Sequence, residues 1–387
     1  MNISRPAAVR PSGLKRTAIS YNGVDKSAMP GHSLFMSNSF YHLTPDTVIR
    51  AAEESGFEPT GHCMALNSFE NRVFDLKTEP GPHIVAKFYR QGRWSREQIL
   101  EEHEFLLQLR DDEIPVCAPV RFRDGSTLHE TDGIHYAIWP RTGGRAGDEL
   151  SDTELSILGR LLARIHNMGA AHDAPHRISL TGESYGIEGL RFLEENDFLP
   201  QHCRDRYRAA VLEIVGIYET LREDVPFHRI HGDCHLGNLL HGTDGWFFLD
   251  FDDFLIGPAV QDVWMLVPAR DTEGLRQRGV FLDAYRQFRE FDDKWLRLIE
   301  PLRALRYIRY AAWIATRWAD PAFPPAFPHF GTVSYWEDET RDLEEQLEFF
   351  HATTHDLPRS IARAETADDN GDKKDLTNKD FFWDWEE

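Results

Sequence analysis

Cysteine is scarce. The 387 residues include only Cys63, Cys117, Cys203 and Cys234, with no C-x-x-C pair among them. That argues against a disulfide framework and a thiolate zinc site, and for a reducing, cytoplasmic compartment. No apolar run reaches the roughly 18–20 residues of a bilayer-spanning helix. The N-terminus lacks the apolar core of a secretory signal, so no membrane partner is expected. Positive charge is short as well. Lys and Arg number 43 against 64 Asp and Glu, a formal charge of −21. Such a surface repels phosphate backbones, so no nucleic-acid partner is expected. An acidic enzyme that handles nucleotides then needs Mg²⁺ and a few placed cations. Internal repeats are also missing.

What is present suits a soluble globular protein of two lobes plus tails: 41% hydrophobic and 12% aromatic residues. Residues 1–35 are rich in Pro, Gly, Ser and Arg and read as a disordered extension. Their basic bias (Arg5, Arg10, Lys15, Arg16, Lys26) resembles a transit peptide weakly, but no amphipathic pattern accompanies it. Met36 opens a segment that reads as a domain start and is a candidate start of translation. Residues 36–140 read as a small β-rich N-lobe. Thr44 and Pro45 begin a helix that ends near Ser55. Strands are expected at 61–66, 72–77, 83–89, 120–123 and 135–139, with a helix over 94–110 between them. Residues 141–356 read as a larger, mainly helical C-lobe. It opens with a capping box at Ser151–Glu154, has a helix over 201–222 and helices from 260 to 318, and then a Pro-Phe loop over 321–330 and a helix at 336–350. Residues 357–387 read as an acidic, disordered tail whose Phe381–Trp385 could dock as a short anchor. The fold class is therefore α+β and bilobal, a small β-rich lobe followed by a larger helical one.

The segment His231-Gly232-Asp233-Cys234-His235-Leu236-Gly237-Asn238 lies between two apolar β runs. The next strand ends at Leu249-Asp250-Phe251-Asp252-Asp253. Phosphoryl transfer needs these parts: a carboxylate to take the proton of the attacking hydroxyl, and an amide oxygen with a second carboxylate to hold Mg²⁺ on the phosphates. Asp233 is the catalytic candidate. Asn238 and Asp250 are the metal candidates, with Asp250 also catalytic. Asp252 and Asp253 either assist or cap the next helix. His231 and His235 have i, i+4 spacing, but Gly232 and Gly237 favour a loop over the helix such a zinc pair needs. His231 is expected to brace the loop instead.

Lys87 sits in the middle of an apolar strand, where its charge needs a partner. Glu102 on the following helix is favoured over Glu101 and Glu104, because Phe105, Leu106 and Leu109 place it near the buried face. Lys87 and Glu102 are assigned to ATP, together with Ser68 in the loop Asn67–Arg72. That loop has no glycine, so it is not G-x-G-x-x-G, and an ordinary polar hairpin turn stays open as its explanation. Adenine is expected to meet backbone groups near Ile138–Arg141.

These residues resemble the aminoglycoside-phosphotransferase and choline-kinase-like superfamily, in which H-G-D-x-x-x-x-N and D-x-D stand for the protein-kinase H-R-D and D-F-G. Within it the chain is similar to the stress response kinase A family over about residues 40–345. The similarity extends to Leu66–Val73, Lys87–Arg90, Ile99–His103, Gly257–Asp262, Ile299–Ala304 and Arg317–Pro324. The resemblance implies a protein-kinase-like fold and an ATP- and Mg²⁺-dependent cytoplasmic kinase that acts on Ser and Thr of protein substrates under envelope or oxidative stress; separately, a monomer is expected. It carries Asp233 over as proton acceptor, Asn238 and Asp250 as metal ligands, and Ser68 as an ATP contact. A small-molecule kinase of the same superfamily and a non-catalytic nucleotide-binding scaffold are the rival readings.

Overall fold

The computed structural model describes residues 43–354, apart from 67, 69, 148 and 244. The expected extension over 1–35, the Met36 start, the acidic tail and its Phe381–Trp385 anchor lie outside the described residues.

Helix α1 (Pro45–Glu54) starts where Thr44 accepts the Thr47 N–H, with proline in the first turn. Its buried Val48, Ala51 and Ala52 pack on one face of an antiparallel sheet, against Phe74, Leu76, Phe88 and Tyr136. That sheet has the order β1-β2-β3-β5-β4. Its strands are β1 (Pro59–Leu66), β2 (Arg72–Thr78), β3 (Ile84–Phe88), β4 (His129–Thr131) and β5 (Ile134–Pro140). Helix α2 (Arg96–Asp111) is inserted between β3 and β4 and begins at a capping box made by Ser95 and Gln98.

The expected strand at 120–123 does not form. Val120 donates to the Ile138 carbonyl and Phe122 to that of Ser126, two single bonds with no ladder. The fifth strand is β4 instead, a short segment that pairs with β5.

Beyond Pro140 helices dominate: β6 (Arg145–Ala146), then α3 (Asp152–Ala171), α4 (Glu188–Glu195) and α5 (Gln201–Leu221). A turn of π-helix over Glu183–Ile187 leads into α4. Strands β7 (Phe227–Ile230) and β10 (Leu255–Pro258) pair with each other, and β8 (Leu239–Gly242) pairs with β9 (Gly245–Phe248) and β6. Helices α6 (Val260–Leu266), α7 (Thr272–Tyr285), α8 (Ile299–Thr316), α9 (Phe323–Ala326) and α10 (Val333–Thr354) follow. The Pro-Phe segment expected as a loop thus contains the short helix α9. Every residue of α6 is buried, as are most of α8. These two helices run through the helical core and reach the β7–β10 segment from behind, which is what positions the site.

Candidate active site

The loop after β7 is pinned before any reactive group appears on it. Gly232 has φ +82°, and a Cβ there would lie 2.5 Å from the Asp253 carbonyl oxygen. Only glycine fits that turn. Asp262, fully buried on α6, accepts the backbone N–H groups of His231 and Gly232 at 2.8 Å each. It also meets His166 Nε2 at 3.0 Å. Burial holds the His166 imidazole below its usual value although Asp262 pulls the other way. His166 is therefore neutral, donating to Asp262 and facing the Tyr285 hydroxyl at 2.8 Å. His231 braces the loop as expected: its Nε2 donates to the Leu249 carbonyl at 2.7 Å, and its Nδ1 accepts the Asp233 N–H at 3.4 Å.

This frame presents Asp233. One of its carboxylate oxygens lies 2.8 Å from Arg306 Nη2 of α8. The other lies 3.4 Å from His235 Nε2 and 3.5 Å from Asn238 Nδ2. Burial works to raise this carboxyl, but Arg306 and then His235 outweigh it and hold Asp233 well below the usual carboxylate range. Asn238 donates Nδ2 to the Asp233 carbonyl at 2.9 Å, which commits the amide nitrogen and leaves the amide oxygen as the outward acceptor. Its own carbonyl accepts the Leu249 N–H at 2.9 Å, so the β8–β9 hairpin ties Asn238 to Asp250. Asp250 stands in the left-handed region at φ 54°, and 57% of its side chain is exposed.

The left-handed turn at Asp250 sends the three acids of this segment in different directions. Asp252 is buried and faces Lys87, its closest partner. Asp253 takes both carboxylate bonds from Arg93, at 2.8 and 2.7 Å. Lys87 Nζ also lies 3.5 Å from Asp250 and 3.8 Å from Glu102. The structure thus brings Lys87 and Glu102 together, with Asp252 closer to Lys87 than the expected partner Glu102. Burial would pull the Lys87 ammonium down; Asp252, then Glu102 and Asp250, more than offset this and hold it above its usual value. Glu102 is 1% exposed, and burial followed by the Asp252 carboxylate pushes it up to about 8. Asp252 is held below its usual range, because Lys87 and then Arg93 outweigh burial.

The glycine-free loop is tethered by its side chains. Asn71 donates Nδ2 to Asp252 at 2.5 Å and accepts the Arg90 N–H at 3.2 Å. Glu70 contacts Arg317 and the Trp313 indole N–H, both from the α8 segment, and lies 3.6 Å from Arg93 Nη1. Ser68 Oγ accepts the Asn71 N–H at 3.3 Å. Asn67 and Phe69 lie outside the described residues. In the stretch assigned to adenine, the Ile138 carbonyl already takes Val120 and the Arg141 N–H already donates to His83 at 3.1 Å.

The residues that sequence reasoning missed are Asp262, Arg306, Arg93, Asn71 and His166. Asp262 ends one of the quoted segments, which was its only signal.

A family model described as the phosphotransferase enzyme family matches residues 62–299. The chain belongs to that family. Curated relatives place it with the stress response kinase A proteins. "Stress response kinase A" of Escherichia coli (strain K12) is 41% identical over 315 residues, spanning 80% of this chain and 95% of the relative. "Serine/threonine protein kinase RdoA" of Salmonella typhimurium is 38% identical over 314 residues, 81% and 95% of the two chains. Among solved structures, amicoumacin kinase hAmiN in complex with AMP-PNP and Ca²⁺ superposes with a TM-score of 0.63 at 19% identity, covering 77% of this chain and 93% of that one. A microcompartment-associated aminopropanol kinase gives 0.60 at 19% identity, covering 79% and 98%. The chain is a phosphotransferase with this kinase-like α+β fold. No helix among the described residues is long and apolar enough to cross a membrane.

Proposed function

We propose that the chain is an ATP- and Mg²⁺-dependent serine/threonine protein kinase of a stress response, cytoplasmic and monomeric, with Asp233 as its proton acceptor. The observation that carries the reading is the placement of Asp233: ionised, fixed by Arg306 and the Asp262-pinned turn, and hydrogen-bonded to Asn238. The donor set fits Mg²⁺, a hard cation that takes oxygen ligands. Asn238 and Asp250 supply an amide oxygen and a part-exposed carboxylate. Although more than half of the Asp250 side chain meets solvent, enclosure by protein and then the Asp252 carboxylate raise it, with Lys87 at 3.5 Å opposing them. The ion, when bound by Asn238 and Asp250, neutralises charge on the phosphate oxygens.

The remaining work falls to the protein. Lys87 and the tethered loop with Ser68 hold the triphosphate of ATP, and Glu102 and Asp252 orient Lys87. A carboxylate held as low as Asp233 is a poor base before transfer. Its part is to orient the substrate hydroxyl and to take its proton as the oxygen–phosphorus bond forms and the bond from the γ-phosphorus to the β-phosphate oxygen breaks.

Protein substrates are favoured by the relatives at 38–41% identity, one of which is named a serine/threonine kinase. The second reading, a small-molecule kinase, draws on structural neighbours named for amicoumacin and aminopropanol, and on the part-exposed Asp250, which would suit a cationic substrate. Transfer of label from radiolabelled ATP to casein-like protein, to the chain itself and to a panel of amino alcohols and aminoglycosides separates the two. The expected result is Ser/Thr labelling of protein that D233N abolishes. Label on amines alone would establish the second reading. ATP binding without turnover would refute both and leave a nucleotide-binding scaffold.

A further inference from the structure

We propose that His62, Asp75 and His83 form a binding site for one divalent ion of the zinc class, with the Arg141 guanidinium as its displaceable counter-ion. Among the described residues this is the one group of three or more His, Cys, Asp and Glu whose ligand atoms all lie within 4.8 Å of one another. Its members come from β1, from β2 and from the residue before β3, with His62 in the irregular stretch of the β1–β2 pairing between Pro59 and Cys63.

Strand alternation places the cluster. Phe74 and Leu76 flank Asp75 and point into the α1 core, as do Ile84 and Ala86. Asp75 therefore points the other way, onto the face of Val85 and Lys87. His83 lies on that same face, four residues and roughly 13 Å along the strand from Lys87. The cluster is therefore separate from the phosphate end of the cleft.

The distances suit a small tetrahedral ion. Bonds of ~2.0–2.2 Å to nitrogen and oxygen put neighbouring ligand atoms about 3.3 Å apart. Here His83 Nδ1 is 3.0 Å and His62 Nε2 is 3.6 Å from the same oxygen of Asp75. Asp75 is 1% exposed and rigidly held, whereas the two imidazoles are 46% and 34% exposed and free to adjust by small rotations. Two imidazoles and one carboxylate, with a fourth position open, select zinc, cobalt or nickel over magnesium. That separates this site from the all-oxygen pair of Asn238 and Asp250.

A buried carboxylate needs a cation. Arg141 now fills that role loosely: Nη1 is 3.5 Å from Asp75 and 3.4 Å from His83 Nδ1, on a side chain that is 48% exposed. The guanidinium thus meets two of the three ligand atoms, and it can swing into solvent at small cost when an ion arrives. His83 then ligates through Nδ1, and the proton it shares with Asp75 moves to Nε2. Cys63, next to His62, packs instead towards the α1 core on the opposite face.

The test uses the full chain, stripped with EDTA and free of nucleotide and magnesium, titrated with zinc sulfate in equilibrium dialysis, with cobalt absorption as a second readout. The wild type is expected to bind one ion. Losing an outer-shell partner typically costs about tenfold in metal affinity, so H62Q and H83Q, each losing a ligand, should weaken binding at least that much. R141A should tighten it. Both imidazoles are part-exposed, so the variants keep the fold, which circular dichroism checks. Absence of stoichiometric binding, or equal binding by the H62Q/H83Q double variant, overturns the site. Weaker binding by R141A overturns the counter-ion role.

Discussion

Replacing Asp262 tests the claim that the catalytic turn is held from behind. The Asp262 carboxylate accepts three donors in a fully buried place: two backbone N–H groups at 2.8 Å and the His166 imidazole at 3.0 Å. Each donor left without an acceptor costs about 1–3 kcal/mol. In D262A all three are stranded, partly relieved by water in the vacated space, so a loss of about 4–6 kcal/mol is expected. D262N keeps one acceptor oxygen but turns an NH₂ towards another donor, for about 2–4 kcal/mol. For domains of this order, 1 kcal/mol moves the midpoint by about 2–4 °C, so D262N should melt several degrees early. Turnover should fall further than unfolding explains, because misplacing a reacting group by about 1 Å costs roughly a hundredfold. Thermal unfolding by circular dichroism, paired with kcat at saturating ATP well below the midpoint, reads both effects. H166A strands no backbone donor and should cost less on both. A D262N protein with wild-type midpoint and kcat within about twofold would refute the reasoning, since the two backbone donors would then not depend on this carboxylate.

Arg306 holds the Asp233 carboxyl down, so R306A should shift the acid limb of the kcat/KM–pH profile to higher pH, with R306K restoring part of the shift. A depressed carboxyl contributes stability that is present above its unfolded value of about 3.9 and lost as pH falls below it, so R306A should also flatten the fall in midpoint between about pH 4 and pH 2.5. G232A forces a Cβ against the Asp253 carbonyl at positive φ and should cost about 2–4 kcal/mol; a wild-type urea midpoint would contradict it. His103 and His228 are buried, and burial lowers both to about 3. Their unfolded forms take up protons below about 6.5 while the folded forms do not, so stability is full above that pH and falls as pH drops towards 3. Between pH 6.5 and 5.5 the pair should cost on the order of 2 kcal/mol, and H103Q should halve that slope in urea unfolding measured across the range.

The parts of the site that can be read from the sequence are those built from neighbours in the chain. Asp233 and Asn238 share one loop, and Asp250 follows through a single hairpin, so their spacing survives folding as geometry. Lys87 and Glu102 are legible for a related reason: a charge inside an apolar strand and an acid on the buried stripe of the next helix both need a partner. Asp252 is different. Three acids within four residues look alike until the left-handed turn at Asp250 sends one to solvent, one to Lys87 and one to Arg93. The false strand at 120–123 has the same origin. Phe122 is buried and Val120 half-buried, so the apolar pattern was a report of burial, and burial does not build a ladder. The polar strand β4 shows the converse, a ladder without the alternation.

Arg306 and Asp262 lie beyond any local pattern, because each reaches the loop across the helical core. They also explain how a chain without a glycine-rich phosphate loop can hold its cleft in shape. Where glycines would let a loop mould itself to phosphate through its backbone, Glu70 is fastened to Trp313 and Arg317 at the end of α8, and Asn71 to Asp252. The same helix supplies Arg306 to Asp233. One buried helix therefore sets both the loop proposed to hold the triphosphate and the carboxylate proposed to meet the hydroxyl. A displacement of α8 must move donor and acceptor positions together, so substitutions in its core, such as at Ile308 or Ala311, should disturb the binding of ATP and the rate of transfer in proportion.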